Sequence, residues 1–204
     1  MMRALLPLML LGCPGPGTTP DTGVLPGRNG LRVDLEALLI PSISKLEATI
    51  GEVVLDGEGP EGPLNLGTAS PISGDLTQSP LSATLDLETG TYRDVEVLMA
   101  LDGDPSLRLE AVWEGRSVVV VIDERVEISD RVSNLVIAQG PDQEVEFTLE
   151  PERWLDRLDE GELEPSEGPI LISATDNSEA YAEVVDAILN TESDLEEEEP
   201  DTGP

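Results

Sequence analysis

Apolar and polar residues alternate in six stretches of the chain. Leu31, Val33, Leu35 and Ala37 share one phase, and so do Leu46, Ala48 and Ile50. The same period runs through Leu81, Ala83, Leu85 and Leu87, and through Val95, Val97, Met99 and Leu101. It returns in Leu107, Leu109, Ala111 and Trp113, and in Val145, Phe147 and Leu149. Successive side chains of a strand point to opposite faces, so each stretch predicts a strand with one buried face. Gly51 shifts the phase before Val53 and Leu55, as a β-bulge does.

Turn chemistry falls between these runs. Asp102-Gly103-Asp104-Pro105 separates two of them, and Glu114-Gly115 separates the next pair. Residues 91–122 therefore predict a three-stranded meander. The run SVVVVI at 117–122 is apolar on both faces, which predicts the central strand. Many short strands with regular turns predict a mainly β fold, an antiparallel β-sandwich of immunoglobulin-like or Greek-key type.

The period then changes. PERWLDRL at 151–158 predicts one or two helical turns, with Pro151 early and Trp154 facing inward. Tyr181, Val184, Val185, Ile188 and Leu189 fall at helical spacing, so 177–190 predicts an amphipathic C-terminal helix. Asp176 and Glu179 have the spacing of a capping box at its start. Residues 191–204 read ESDLEEEEPDTGP after Thr191, a like-charge tail expected to be disordered. No period of 20 to 50 residues is visible.

Composition narrows the function classes. The 204 residues include 43 acids against 11 lysines and arginines, a formal charge of −32. Such a charge repels phosphates, so no nucleic acid is expected as partner. Aromatic residues are 2% of the chain, so the core must be aliphatic. There is no histidine, which removes Ser-His and Cys-His nucleophiles and histidine metal ligands. With a single cysteine the chain forms no internal disulfide.

That cysteine has a telling position. Arg3 precedes a short apolar run, 4–11, which is too short to span a bilayer. A positive start, a short apolar core and a small residue at the exit describe an export signal. Leu10-Leu11-Gly12-Cys13 resembles the lipobox of bacterial lipoproteins. The resemblance implies cleavage between Gly12 and Cys13, and diacylglycerol on the Cys13 thiol. It further implies a lipid-anchored protein of the bacterial cell envelope. Pro14 takes the place of an inner-membrane retention aspartate, which implies the outer membrane. The alternative is a chance thiol in an apolar leader. Residues 13–30, rich in proline, glycine and threonine, read as a flexible tether. The division is then a signal peptide at 1–12, the tether, one domain at 31–190 and the tail.

The body has its own, looser likeness. ETGTYRDVEV at 88–97, EPERWLD at 150–156 and TDNSEAY at 175–181 resemble uncharacterised envelope lipoproteins with a β-sandwich domain and a C-terminal helix. The resemblance implies a fold and no activity.

Motifs with catalytic associations lack their settings. Pro-Asp-Thr-Gly occurs at 20–23 and at 200–203, in the tether and the tail. An aspartic protease needs both carboxylates on one rigid site. Ser42-Ile43-Ser44-Lys45 matches the S-x-x-K of penicillin-binding proteins, but Lys45 is the sole lysine and no K-T-G element exists. No catalytic residues are assigned, and the chain is expected not to be an enzyme. Calcium is the one ion this composition invites, since it takes hard oxygen ligands. Asp102 and Asp104 are its candidate ligands, with Asp123 and Glu124 nearby on a neighbouring turn. The expected function is a non-catalytic binding or structural role in the envelope. Its partners would be the membrane through the lipid, an envelope protein and an unknown ligand. A calcium-dependent adhesion or interaction module is the alternative, and a hydrolase using carboxylates stands third.

Overall fold

The computed structural model describes residues 28–68, 70–161, 163 and 168–190. In chain order these form β1 (Arg28–Ala37), β2 (Ile43–Gly59), β3 (Gly62–Gly67), β4 (Ile72–Asp75) and β5 (Leu81–Glu88). There follow β6 (Gly90–Leu101), β7 (Leu107–Trp113), β8 (Arg116–Ile122), β9 (Val126–Ile137) and β10 (Gln143–Leu149). A short helix α1 (Pro151–Asp156), the strand β11 (Ile170–Ile172) and the helix α2 (Ser178–Leu189) complete the chain. The tail at 191–204 and the leader with Gly12 and Cys13 lie outside the described residues.

The alternating stretches all form strands with the expected face buried. Leu31, Val33 and Leu35 have no exposed surface, and neither do Val95, Val97, Met99 and Leu101. β1 reaches back to Arg28, into the stretch that composition assigned to the tether. Asn29 Nδ2 donates to the carbonyls of Ala138 and Pro141, and the Gly30 amide donates to Asp142 Oδ1. These bonds hold backbone that has no apolar side chain to bury.

Strands β10, β1 and β5 make a three-stranded sheet, and the other eight make a larger one. Neither sheet is purely antiparallel, which corrects the sequence expectation. β1 runs parallel to β10, and β8 runs parallel to β11. Each parallel pair joins strands distant in sequence, and alternation carries no record of which distant strands meet. The fold is mainly β with two mixed sheets, neither of them closed. Their apolar faces contribute to one hydrophobic core, joined by Trp154 and Leu155 of α1 and by Ala180, Tyr181, Val184 and Ile188 of α2.

The central strand is β2, seventeen residues long. It pairs with β3 and β4 along one edge and with β6 and β7 along the other. Residues 47 and 48 pair with both β4 and β7, so these lie on opposite edges. Ile50 pairs with both Ile72 and Leu101, which puts β6 on the side of β7. Thus β6 and β7 run end to end along β2, and residues 91–122 are not a meander. The predicted turn at Asp102 does not reverse the chain. SVVVVI is β8, between β7 and the three-residue β11, and is not central. Its outer positions Val119 and Val121 remain half-buried. The β7–β8 hairpin is as expected, with Glu114 and Gly115 both at positive φ, 49° and 75°.

These end-to-end arrangements share one level. β9 pairs with β6 and β8 pairs with β7, so β8 and β9 also follow one line. β6 gives way to β7 between Leu101 and Leu107, and β8 to β9 between Ile122 and Val126. On the far edge β3 gives way to β4 between Gly67 and Ile72. At the same level β2 carries its register shift, between Ile50 and Glu52. A transverse seam therefore crosses the larger sheet, and β2 alone runs through it, by the bulge at Gly51 that the phase shift predicted.

At the C-terminal end α1 has Pro151 at its first turn and Trp154 buried, as predicted. The capping box does not form. Asn177 occupies the cap position with a left-handed backbone and no side-chain cap. Asp176 Oδ2 instead accepts from the hydroxyls of Ser173 and Thr175. Leu189 is half-exposed, because the last turn of α2 extends past the surface that buries Ile188.

Candidate functional site

The seam places the sequence-selected carboxylates in adjoining breaks without gathering them into one cluster. Asp102 and Asp104 lie in the β6–β7 break, and Asp123 and Glu124 lie in the adjoining β8–β9 break. The Asp102 amide donates to the Thr49 carbonyl at 3.0 Å, and the Thr49 amide donates to the Ser106 carbonyl at 2.9 Å. Residues 103–105 are thus looped out of a ladder that resumes at once. Two glycines permit this closeness. A Cβ on Gly51 would lie 2.7 Å from Asp102 Cβ, and one on Gly103 would lie 2.8 Å from Thr49 Cβ.

Ser106 fastens the two breaks to each other. It is fully buried, its amide donates to the Ile122 carbonyl, and its hydroxyl lies 2.7 Å from the carbonyls of both Ile122 and Glu124. Above the Glu124 turn sits α2, whose Tyr181 hydroxyl donates to Glu124 Oε1 at 2.8 Å. Burial pushes the Tyr181 phenol well above its ordinary range, and the facing Glu124 carboxylate pushes it further.

The cation at this site is a side chain. Arg125 reaches Glu127 at 2.7 Å, Glu52 at 3.3 Å and Asp102 at 3.6 Å. Its hydrogen bond to Glu127 raises its pKa first, burial opposes that, and the bond to Glu52 adds to the rise. Glu52 reaches the cluster because the Gly51 bulge resets the phase of β2. Asp104 and Asp123 are exposed. Among the described residues no three acidic side chains come together as a metal-holding group.

Arg125 and Ser106 were not selected from the sequence, and Tyr181 was read there only as part of the apolar face of the C-terminal helix. Arg125 carried one faint signal, a lone base among Asp123, Glu124 and Glu127. Ser106 carried none, since a buried hydroxyl in a polar loop looks like any loop serine.

The remaining motifs have quieter surroundings. The S-x-x-K stretch sits at the start of β2, with Ser44 Oγ donating to the Glu110 carbonyl and Lys45 Nζ 2.9 Å from Glu47. That bond raises the Lys45 pKa, so the amine stays protonated at neutral pH and its free base is not populated. Both Pro-Asp-Thr-Gly stretches lie outside the described residues. Asp34 is buried on the polar face of β1, with Arg32 bonded to its Oδ2 at 2.7 Å and its Oδ1 without a hydrogen-bond partner.

No protein-family model and no curated protein matches the chain. Among solved structures it has a faint similarity to a leucine-rich repeat protein from Bacteroides thetaiotaomicron, with 14% identity and a TM-score of 0.23. That match covers 72% of this chain and 18% of the other.

Proposed function

We propose that the chain is a lipid-anchored envelope protein whose β-sandwich has a non-catalytic binding or structural role. The carrying observation is the one cysteine, Cys13, placed after Leu10-Leu11-Gly12 and before a proline-, glycine- and threonine-rich stretch. An anchor suits a chain whose charge of −32 keeps it off anionic surfaces. One acyl chain holds a protein only marginally, while two or more hold it stably. The hydrophobic core that the two sheets share supports a two-layered sandwich. A surface held together by hydrogen-bonded breaks and ion pairs supports a scaffold, and Lys45 is held in the wrong charge state for a base. Cys13→Ser tests the anchor: fatty-acid labelling should disappear and the protein should leave the membrane fraction. Membrane association unchanged in that variant refutes it.

A second reading, a calcium-dependent interaction module, is favoured by one observation. Asp102, Asp104, Asp123 and Glu124 occupy adjoining breaks of the same seam. Arg125 is its competitor for Asp102, so calcium would have to displace the guanidinium. Millimolar calcium should then raise the melting temperature beyond magnesium at equal ionic strength, and Asp102→Asn with Asp104→Asn should abolish the rise. Equal effects of the two ions leave the plain scaffold.

A further inference from the structure

The geometry points to the open edge of β5 as a docking site for an extended, basic segment of a partner protein, added as a further strand. This deepens the binding reading above and does not depend on the lipid anchor.

The edges of the two sheets are not equally protected: β5, β9 and β10 are the long open ones, and β5 is singled out by the groove beside it. β11 is three residues long, and β3 and β4 are short, with Pro63 inside β3 and Pro71 just before β4. Short strands and prolines are the usual ways of blunting an edge. β5 has neither. All eight of its residues pair with β1 in unbroken register, with no bulge, proline or lysine. Among the described residues β5 has no partner on its other side.

A groove accompanies that edge along its length. It separates β5 from the β3–β4 edge of the larger sheet. One part, of about 490 Å³, lies beside Ser82, Thr84, Leu66 and Ile72. The next part, of about 370 Å³, shares Arg28, Leu66 and Asp86 with the first and ends at Tyr92. The groove narrows toward β4, where a Cβ on Gly74 would lie 2.7 Å from Leu81 Cδ2. Leu64, Leu66 and Ile72 are half-buried against the core on the groove's far side. A strand laid beside β5 would satisfy its free backbone groups and cover these side chains with every second residue.

Charge selects the partner. Asp86, Glu88 and Glu61 border the groove, and its one base, Arg28, is already paired with Asp86 at 3.0 Å. The outward residues of an added strand would stand beside Ser82, Thr84 and Asp86. An incoming segment alternating apolar and basic residues fits both faces. A second copy of this chain would bring another −32 to the same place.

The soluble Cys13→Ser chain should therefore bind a short capped peptide alternating lysine and valine, followed by fluorescence anisotropy. The same peptide with its valine nitrogens methylated keeps the charge and loses backbone donors, and should bind at least about tenfold more weakly. Leu66→Trp, which fills the groove, should weaken the unmethylated peptide similarly while the protein keeps its circular dichroism and melting cooperativity. A glutamate–valine peptide should not bind. Equal affinity for both lysine peptides overturns the proposal, because attraction is then charge alone. Self-association lost in Leu66→Trp overturns it in favour of a second copy. Peptide binding that appears only after residues 14–27 are removed overturns it in favour of the chain's own segment. None of these outcomes bears on fatty-acid labelling of Cys13, so the two readings fail separately.

Discussion

The Tyr181 hydroxyl donates to Glu124 Oε1 at 2.8 Å, and this bond ties the C-terminal helix to the seam of the larger sheet. Tyr181→Phe removes it while keeping the ring that packs in the core. The loss should be about 1 kcal/mol at neutral pH, measured by denaturant unfolding. The phenol's pKa is raised in the folded state, first by burial and then by Glu124. The neutral phenol thus stabilises the fold fully below its unfolded pKa, about 10, and that contribution is lost as pH rises through the higher folded value. Wild type should lose stability on the alkaline side more steeply than Tyr181→Phe. Parallel alkaline limbs would contradict the role of this contact.

Asp75 ends β4 and ties it to β2. Its Oδ1 accepts from the Leu46 amide at 3.3 Å, the Thr77 amide at 3.0 Å and the Thr77 hydroxyl at 2.8 Å. Burial alone would raise its pKa, but the hydrogen bonds from Thr77 and Leu46 together outweigh burial and lower it. Its contribution is present above the unfolded value, about 3.9, and is lost as pH falls through the lower folded one. Asp75→Asn should cost about 1 kcal/mol at neutral pH, and the deficit should shrink in acid. A deficit constant across that range would show that the carboxylate charge is irrelevant.

The seam depends on close approach of backbones. Gly51→Ala sets a methyl group 2.7 Å from Asp102 Cβ, and Gly103→Ala sets one 2.8 Å from Thr49 Cβ and 2.9 Å from the Pro105 carbonyl. Each should destabilise by about 1–3 kcal/mol, as overpacking does. Gly67→Ala is the control, since its nearest neighbour would be 3.4 Å away. Equal stability of all three variants would mean that the breaks are not packed against β2 as described.

Salt acts on the whole surface. Forty-three acids face eleven bases, so repulsion among carboxylates outnumbers attraction in pairs such as Arg28–Asp86 and Arg125–Glu127. Screening weakens both, and the larger effect decides the sign. The melting temperature should rise from low salt to about 1 M sodium chloride, where the screening length is about 3 Å. A flat or falling curve would show that the ion pairs matter more than the net charge.

The sequence by itself determined seven of the eleven strands and the faces they bury, where β2 bulges and where the two helices lie, while β3, β4, β9 and β11 were not read from it. These are local properties: a period of two or 3.6 residues, a glycine that breaks phase, a proline at a first turn. Val53 and Leu55 could be assigned to the core from Gly51 alone. What only the tertiary structure decided is which strands are neighbours. Nothing near Asp102 shows that the chain keeps its direction there, because a loop that reverses and one that resumes the same line use the same residues. That choice belongs to β2, some fifty residues earlier in sequence, whose edge accommodates both β6 and β7. The candidate carboxylates divide in the same way. Their oxygen chemistry was legible from composition, but Arg125's reach to Glu52 and Asp102 was not, because those pairs join residues distant in sequence and a sequence records only relations along one strand.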